Sequence, residues 1–283
     1  DDTHPDPQNV IDIEPAEIII TKVELTGPTD VVLGDQFTLN VSTGAPWSGT
    51  ADITVDSGTT YSSTMRAETY WDAAGNNQTT PQYKHESGIR LPTPATVPIV
   101  NGSGSFNVTE FTMEPFTIKV TLQGIGFEDT YEITKEHCWA RVKSTYIGDP
   151  AGPESAHDWP GYFDNDKPRG ALPYGSPSLF NSWIIVRRTL TSANTGVKIR
   201  DRGPWFPYGA SYPAGSDYYN DYWNDGGWKP LAEFMSGLRR AGDPVATRSI
   251  NAAGLDITEK AIVNLGYTFS TTWSATVYWR FMN

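Results

Sequence analysis

The sequence predicts an all-β protein in two parts, and three observations predict it. Short runs of alternating apolar and polar residues recur through the first half, each stopped by glycine, proline or aspartate. No helical period interrupts them. Near the end of the chain, Val197-Lys198-Ile199-Arg200-Asp201-Arg202-Gly203-Pro204 and the segment Gly254 to Gly266 each carry an aspartate from an apolar stretch into a turn.

Residues 1–16 are acidic and proline-rich without apolar period, which reads as a linker or frayed terminus. From Glu17 the pattern changes. Ile18 to Leu25 reads as a strand turned by Gly27-Pro28, and Val31 to Asp35 leads into the alternating run Phe37 to Val41. Ala51 to Val55, Gly104 to Val108, Phe116 to Leu122 and Tyr131 to Val142 continue the series. About seven short strands over residues 17–143 fit an immunoglobulin-like sandwich, one without the Cys…Trp…Cys signature of antibody domains. Residues 59–97, rich in Tyr, Thr, Asn and Pro, are too long for an ordinary loop and are expected to be an irregular insert, ordered against a neighbour or functional. The lone Cys138 allows no internal disulfide and no cysteine-based zinc site. On an alternating strand His137 and Cys138 point to opposite faces, so a buried structural thiol is expected rather than a nucleophile.

The second half, residues 144–283, opens with a glycine- and proline-rich stretch over 146–177. Trp183 to Arg188 reads as a strand and Thr191 to Gly196 as a turn. Val197 and Ile199 form a second strand that Gly203-Pro204 ends, so Asp201 stands at a strand exit, held rigidly yet within reach of a groove. Leu255 and Ile257 flank Asp256. Thr258 is placed to N-cap a short helix with Glu259 in its first turn and Gly266 as its C-cap. Trp273 to Phe281 is the closing strand. Between the two motifs lies an insert, residues 205–249. Trp205, Tyr208, Tyr218, Tyr219, Tyr222 and Trp223 offer faces that stack on sugar rings, and the interleaved Asp217, Asp221, Asn224 and Asp225 accept bonds from hydroxyls. The alternative is a loop packing its aromatics onto the core. The same acids suit calcium by ligand type but lack the order of an EF-hand. Leu231, Phe234, Met235 and Leu238 stand at helical spacing, which predicts an amphipathic helix over Lys229 to Ala241.

Asp201-Arg202-Gly203-Pro204, the run Leu255-Asp256-Ile257-Thr258 with Ala261, Leu265 and Gly266 behind it, and Leu172-Pro173-Tyr174-Gly175-Ser176 upstream resemble the double-psi β-barrel of the rare lipoprotein A family. Expansins, certain glycosidases and certain lytic transglycosylases share that fold more distantly. The resemblance covers about residues 155 to 283. It implies a six-stranded barrel with short helices from about Leu172 to Phe281. It also implies that Asp201 is the acid of lytic transglycosylation, in which the sugar's own C6 hydroxyl attacks and leaves a 1,6-anhydro product, so one carboxyl suffices. The chain departs from the family at two positions. Arg169 stands where the family has a histidine before the Leu-Pro turn, and Arg200 where it has the asparagine before the aspartate. An arginine beside the acid favours the carboxylate, the wrong direction for a general acid. His157 is the candidate replacement from another loop.

Asp201 and Asp256 are the candidate catalytic residues. Asp201 donates a proton if burial raises its pKa; otherwise it pairs with Arg200 or Arg202, or caps the turn at Gly203. Asp256 orients Asp201 or a sugar hydroxyl, or holds a barrel loop. Arg200 joins the six insert aromatics as a candidate substrate contact. With 33 acidic and 21 basic residues, a net charge of −12 and no basic stripe, nucleic acid and anionic membranes are poor partners. No apolar run reaches the ~18 residues of a membrane span. No cofactor or metal is expected. The start at Asp1, without Met or signal peptide, reads as a processed secreted or cell-surface protein. The sequons at Asn40, Asn77, Asn101 and Asn107 are either glycosylation sites or chance triplets of a Thr/Ser-rich β domain. Three functions follow: an extracellular carbohydrate-directed protein that cleaves cell-wall glycan through Asp201; an expansin-like module that grips glycan without cutting it; or a surface or appendage component that self-assembles through its sandwich.

Overall fold

A computed structural model describes residues 19–67, 69–71, 77–79, 82–147, 167–172, 181–202, 239–240 and 254–282. The protein is all-β. In chain order the strands of the first half are β1 (Glu24–Thr26), β2 (Val31–Val32), β3 (Gln36–Ser42), β4 (Gly49–Ser57), β5 (Ser62–Arg66), β6 (Thr69–Trp71), β7 (Asn77–Thr79), β8 (Tyr83–Ser87), β9 (Ile89–Arg90), β10 (Thr96–Ile99), β11 (Ser103–Glu110), β12 (Phe116–Leu122) and β13 (Glu128–Ile133). Then come β14 (Cys138–Tyr146), β15 (Arg169–Leu172), β16 (Trp183–Arg187), β17 (Thr195–Arg202), β18 (Arg239–Arg240), β19 (Leu255–Ile257), the helix α1 (Glu259–Asn264) and β20 (Ser274–Phe281). No helix among the described residues is long and apolar enough to cross a membrane.

Two antiparallel sheets form the sandwich-like first half, in the orders β1-β3-β11-β9 and β10-β4-β12-β13. The period of two sets their inner faces. Phe116, Ile118, Val120 and Leu122 of β12 are buried with Leu39 and Val41 of β3, Phe106 and Val108 of β11 and Ala51 and Ile53 of β4, while Thr117, Lys119 and Thr121 alternate outward. The strand expected over Ile18 to Leu25 shrinks to Glu24–Thr26. The residues expected to form an irregular insert are largely paired. β5 runs against β8, β6 against β7 inside it, and β9 and β10 return to the two sheets of the sandwich. Side chains fix the root of this ribbon. The Arg90 guanidinium lies 4.3 Å from the Tyr61 ring centre and 4.7 Å from that of Phe111, and it also binds the Glu86 carboxylate. β18 pairs with β6 (Arg239 with Trp71, Arg240 with Tyr70), so a segment from the second half completes a sheet with the ribbon of the first. That corrects the end of the helix expected over Lys229 to Ala241, because Arg239 and Arg240 are extended; Lys229 to Leu238 and Ala241 lie outside the described residues.

The second half is a closed barrel. Its six strands form the ring β14-β19-β15-β17-β16-β20, and β20 pairs back to β14. The β14–β19 and β15–β17 pairs are parallel and the other four are antiparallel. Exchanging the first three strands (β14, β15, β16) for the last three (β17, β19, β20) leaves every pairing and its direction unchanged. The barrel therefore carries an internal two-fold symmetry of topology. Ala140, Val142, Ile184, Val186, Val197, Ile199, Leu255, Ile257, Val277 and Trp279 fill it, as a small barrel requires. α1 buries Ala261 and Ile262 against this core.

At the helix ends the expectations divide. Gly266, at φ 79°, donates to the Val263 carbonyl at 2.9 Å, and the Tyr267 N–H reaches the Ile262 carbonyl at 3.2 Å. This is a complete Schellman closure. Thr258 occupies the N-cap position, yet its side chain makes no cap bond. Its hydroxyl instead donates to the Lys167 carbonyl at 2.7 Å and accepts from the Arg169 N–H at 3.0 Å, stapling the entry of β15 to the end of β19.

The two halves are joined by pairing as well as by chain. β2 leaves the sandwich and lies parallel to β14, Val31 beside Cys138 and Val32 beside Trp139. Just before it, Asp30 accepts from the Trp139 indole N–H at 3.1 Å and from His137 Nδ1 at 2.9 Å, and faces Arg187 at 3.6 Å. The run expected as one strand over Tyr131 to Val142 is two strands, β13 in the sandwich and β14 in the barrel, separated by a 3-10 turn at Lys135–His137. That turn contains neither glycine nor proline, so nothing punctuates it in the sequence. The barrel thus begins at Cys138, ahead of Ser144.

Candidate functional site

Three adjacent strands, β19, β15 and β17, bring the two aspartates into one row. Gly170 pairs with Ile257 on one side and Ile199 on the other. A Cβ there would lie 3.0 Å from both the Asp256 carbonyl oxygen and Val197 Cγ1, so the neighbours close over bare backbone. One residue on, Ala171 pairs with Asp256 of β19 and with Asp201 of β17. The aspartates therefore stand two strands apart, about 10 Å between Cα positions at ~4.8 Å per strand.

A β-bulge sets this register. Between Gly170 and Ala171 the partner on β17 advances from Ile199 to Asp201, which leaves Arg200 as the extra residue. In an unbroken strand, position 201 would keep step with Val197 and Ile199, which line the barrel. The bulge takes it out of that step. Arg200 itself is only 8% exposed and donates through Nη1 to the Asn181 side-chain oxygen. Asn181 is in the left-handed region at φ 73°, and its own N–H binds the Ile199 carbonyl at 2.8 Å. Arg200, expected as a substrate contact, is thus built into the wall between β17 and the entry to β16.

Asp256 is half-buried between Leu255 and Ile257, and Thr145 donates its hydroxyl to Oδ1. Thr145 belongs to β14, on the side of β19 away from β15. The contact ties the parallel β14–β19 pair and draws this oxygen away from the strand of Asp201. Of the sequons, Asn40 and Asn107 are exposed on β3 and β11, with Thr38 donating to the Asn107 oxygen at 2.9 Å, and Asn101 is exposed at φ 50° in a turn. Asn77 lies in β7. Trp205, Tyr208, Tyr218, Tyr219, Tyr222, Trp223, the acids Asp217, Asp221 and Asp225, His157 and Pro173 to Ser176 lie outside the described residues.

Cys138 is buried, and burial, followed by the charges of Glu110, Glu114 and Asp30, pushes its thiol up to about 12. The side chain stays a neutral thiol at neutral pH. His137 is committed to Asp30. Three residues of this region escaped the sequence reading. Thr145 and Asn181 carry no local signal, because their partners lie far along the chain. Trp183 carried one: a large aromatic at the start of an apolar strand, and it is 44% exposed. Comparison with protein-family models, with curated proteins and with solved structures finds no match to this chain, so the barrel topology and the register of its aspartates carry the functional argument.

Proposed function

We propose that this is an extracellular, carbohydrate-directed protein whose barrel is of the double-psi type and acts on cell-wall glycan at the strand end bearing Asp201. The observation that carries the reading is the six-stranded ring, symmetric under exchange of its strand triplets, with Asp201 and Asp256 in one row on either side of Ala171. The sequence motifs that resemble the rare lipoprotein A family fall on β17 and on β19 with α1, where they supply that row.

The chemistry is the single-acid route. Asp201 gives its proton to the glycosidic oxygen as the C1–O bond breaks. The C6 hydroxyl of the same sugar attacks C1, and the resulting carboxylate takes the hydroxyl proton, so the acid is regenerated and a 1,6-anhydro end remains. Asp256 supports this reading over a two-carboxylate hydrolysis, because the Thr145 hydroxyl already engages it from the far side. Peptidoglycan incubated with the protein and examined by mass spectrometry is expected to show anhydro ends. Asp201→Asn is expected to abolish them, at least a hundredfold in rate for a general acid. An unchanged yield removes Asp201 from the mechanism, and reducing ends in place of anhydro ends overturn the route.

One observation favours a second reading, an expansin-like grip without cleavage. The residue next to the candidate acid is a buried cation, Arg200, where the resembled family has asparagine. Retention of the protein on insoluble glycan, with no product from the unaltered chain, selects that reading.

A further inference from the structure

The outer wall of the barrel carries a short row that none of the foregoing uses. Trp183 of β16 pairs with Lys198 of β17, and Lys198 pairs in turn with Arg169 of β15. The three stand side by side on adjacent strands at ~4.8 Å intervals. They face outward, because Ile184, Val197 and Ile199 beside them line the interior. Asp201 lies three residues further along β17, about 10 Å away.

The Trp183 ring passes over Gly196. A Cβ on Gly196 would sit 3.6 Å from both Cε3 and Cζ3 of its ring, so the bare glycine supports one edge while 44% of the residue stays open to solvent. Lys198 Nζ stands 5.9 Å from the ring centre. Among the described residues no carboxylate comes within ion-pair distance of Lys198 or Arg169. Arg169 Nε is buried with no acceptor among them. In a chain with 33 acids to 21 bases, two neighbouring cations without an acid run against the composition.

We propose that this row is a subsite for an anionic polysaccharide: Trp183 stacks one pyranose ring, and Lys198 and Arg169 take the carboxylates of neighbouring uronate residues. The inference rests on the carbohydrate-directed reading above and names the charge class of the glycan. An exposed indole on the barrel wall matches the face of a sugar ring. A neutral glycan has no use for two cations that no carboxylate among the described residues pairs. A nucleic acid needs a longer cationic track than one row in a protein of charge −12.

The test uses the full chain with polygalacturonate as probe, a neutral dextran of matched size and single-stranded oligo-dT as comparisons, and calorimetry as readout. Polygalacturonate is expected to bind with an affinity that falls as salt rises. Trp183→Ala is expected to weaken it about tenfold, the loss of one stacked ring. Lys198→Glu is expected to do the same or more and to flatten the salt dependence. Both positions are surface positions; should Trp183→Ala disturb folding, Lys198→Glu carries the test. Lys22→Ala, on the sandwich, is expected to leave binding unchanged. Equal binding of dextran or oligo-dT, or affinity untouched by both barrel variants, overturns the subsite. Cleavage or retention of cell-wall glycan with polygalacturonate ignored also overturns it and leaves the proposed function standing. Binding of polygalacturonate through Trp183, with cell-wall glycan neither retained nor cut, supports the subsite and removes the cell-wall reading instead.

Discussion

Glu110 is fully buried at the end of β11, and only one of its oxygens has partners: the N–H of Thr112 at 2.7 Å and the Thr112 hydroxyl both bind Oε1, while Oε2 meets no donor among the described residues. Burial, only partly offset by the bonds from Thr112 and Phe111 and reinforced by the charge of Glu114, pushes its pKa from 4.5 up to about 7. The folded protein therefore holds this proton more tightly than the unfolded chain. Its stabilising effect is complete below pH 4.5, drains away as pH rises towards 7 and is gone above it. Urea midpoints measured across that window are expected to fall by an amount equivalent to about 3 kcal/mol. Glu110→Gln, neutral at every pH, is expected to remove most of the slope; a slope that survives the substitution assigns it to another group. Glu110 keeps step with Phe106 and Val108, but the expected run stopped at Val108, so its burial was not read from the sequence. Asp201 and Asp256 were legible, as polar residues at apolar strand ends. The Thr145 hydroxyl on Asp256 and the Asn181 side chain on Arg200 were not, because a side-chain partner distant in the chain leaves no trace in local pattern.

Elements were readable where their signals are local. Phe116–Leu122 alternates without a break, and β12 has those bounds. The Gly266 closure of α1 follows from a backbone conformation that glycine alone adopts cheaply. Gly266→Ala at φ 79° is expected to cost about 1 kcal/mol in a thermal melt, with the fold intact. Elements were misread where pairing across the chain decides. The four apolar residues at helical spacing, Leu231, Phe234, Met235 and Leu238, lie outside the described residues, but the expected end of that helix was misread: Arg239 and Arg240 are extended because β6 supplies a ladder for them. Thr258 had the right residue type for an N-cap, but the Lys167 carbonyl and Arg169 N–H compete for its hydroxyl and win. The two roles are separable by substitution. Thr258→Ser keeps a hydroxyl for both bonds and is expected to be nearly neutral. Thr258→Val keeps the shape but removes the hydroxyl that the part-buried Arg169 N–H and the Lys167 carbonyl use, and is expected to cost about 1 kcal/mol. A helix-capping role would instead predict a loss centred on α1, seen as faster amide exchange at Ala261 and Ile262 with Arg169 unaffected.

At the scale of the whole molecule, the sequence divides into two β parts at a boundary that the structure bridges. The apolar core runs from Leu39 and Phe116 of the sandwich to Val142 and Trp279 of the barrel. β2 is covalently part of the first half and hydrogen-bonded to the second. At this seam Trp139 is 1% exposed, with the Arg187 and Arg280 guanidinium groups 4.4 Å and 5.2 Å from its ring and Asp30 as the acceptor of its indole N–H. Burial and the neighbouring Arg187 both depress the pKa of Arg280, and Glu136 and, less, Asp30 act in the opposite direction. Asp30 thus does two things for a residue it meets across more than a hundred positions of chain: it satisfies a buried donor, and it offsets two cations packed on one aromatic. Asp30→Ala removes both and leaves the indole N–H buried without an acceptor, which is expected to cost about 1–3 kcal/mol. Asp30→Asn keeps the acceptor and loses the charge, so a smaller loss is expected. Because the seam is shared, the loss is expected to appear as a shift of one cooperative transition, seen alike by tryptophan fluorescence and far-ultraviolet circular dichroism. Two separated transitions in the unaltered protein, with Asp30→Ala moving only one of them, would show that sandwich and barrel fold independently and that β2 is a contact rather than a coupling.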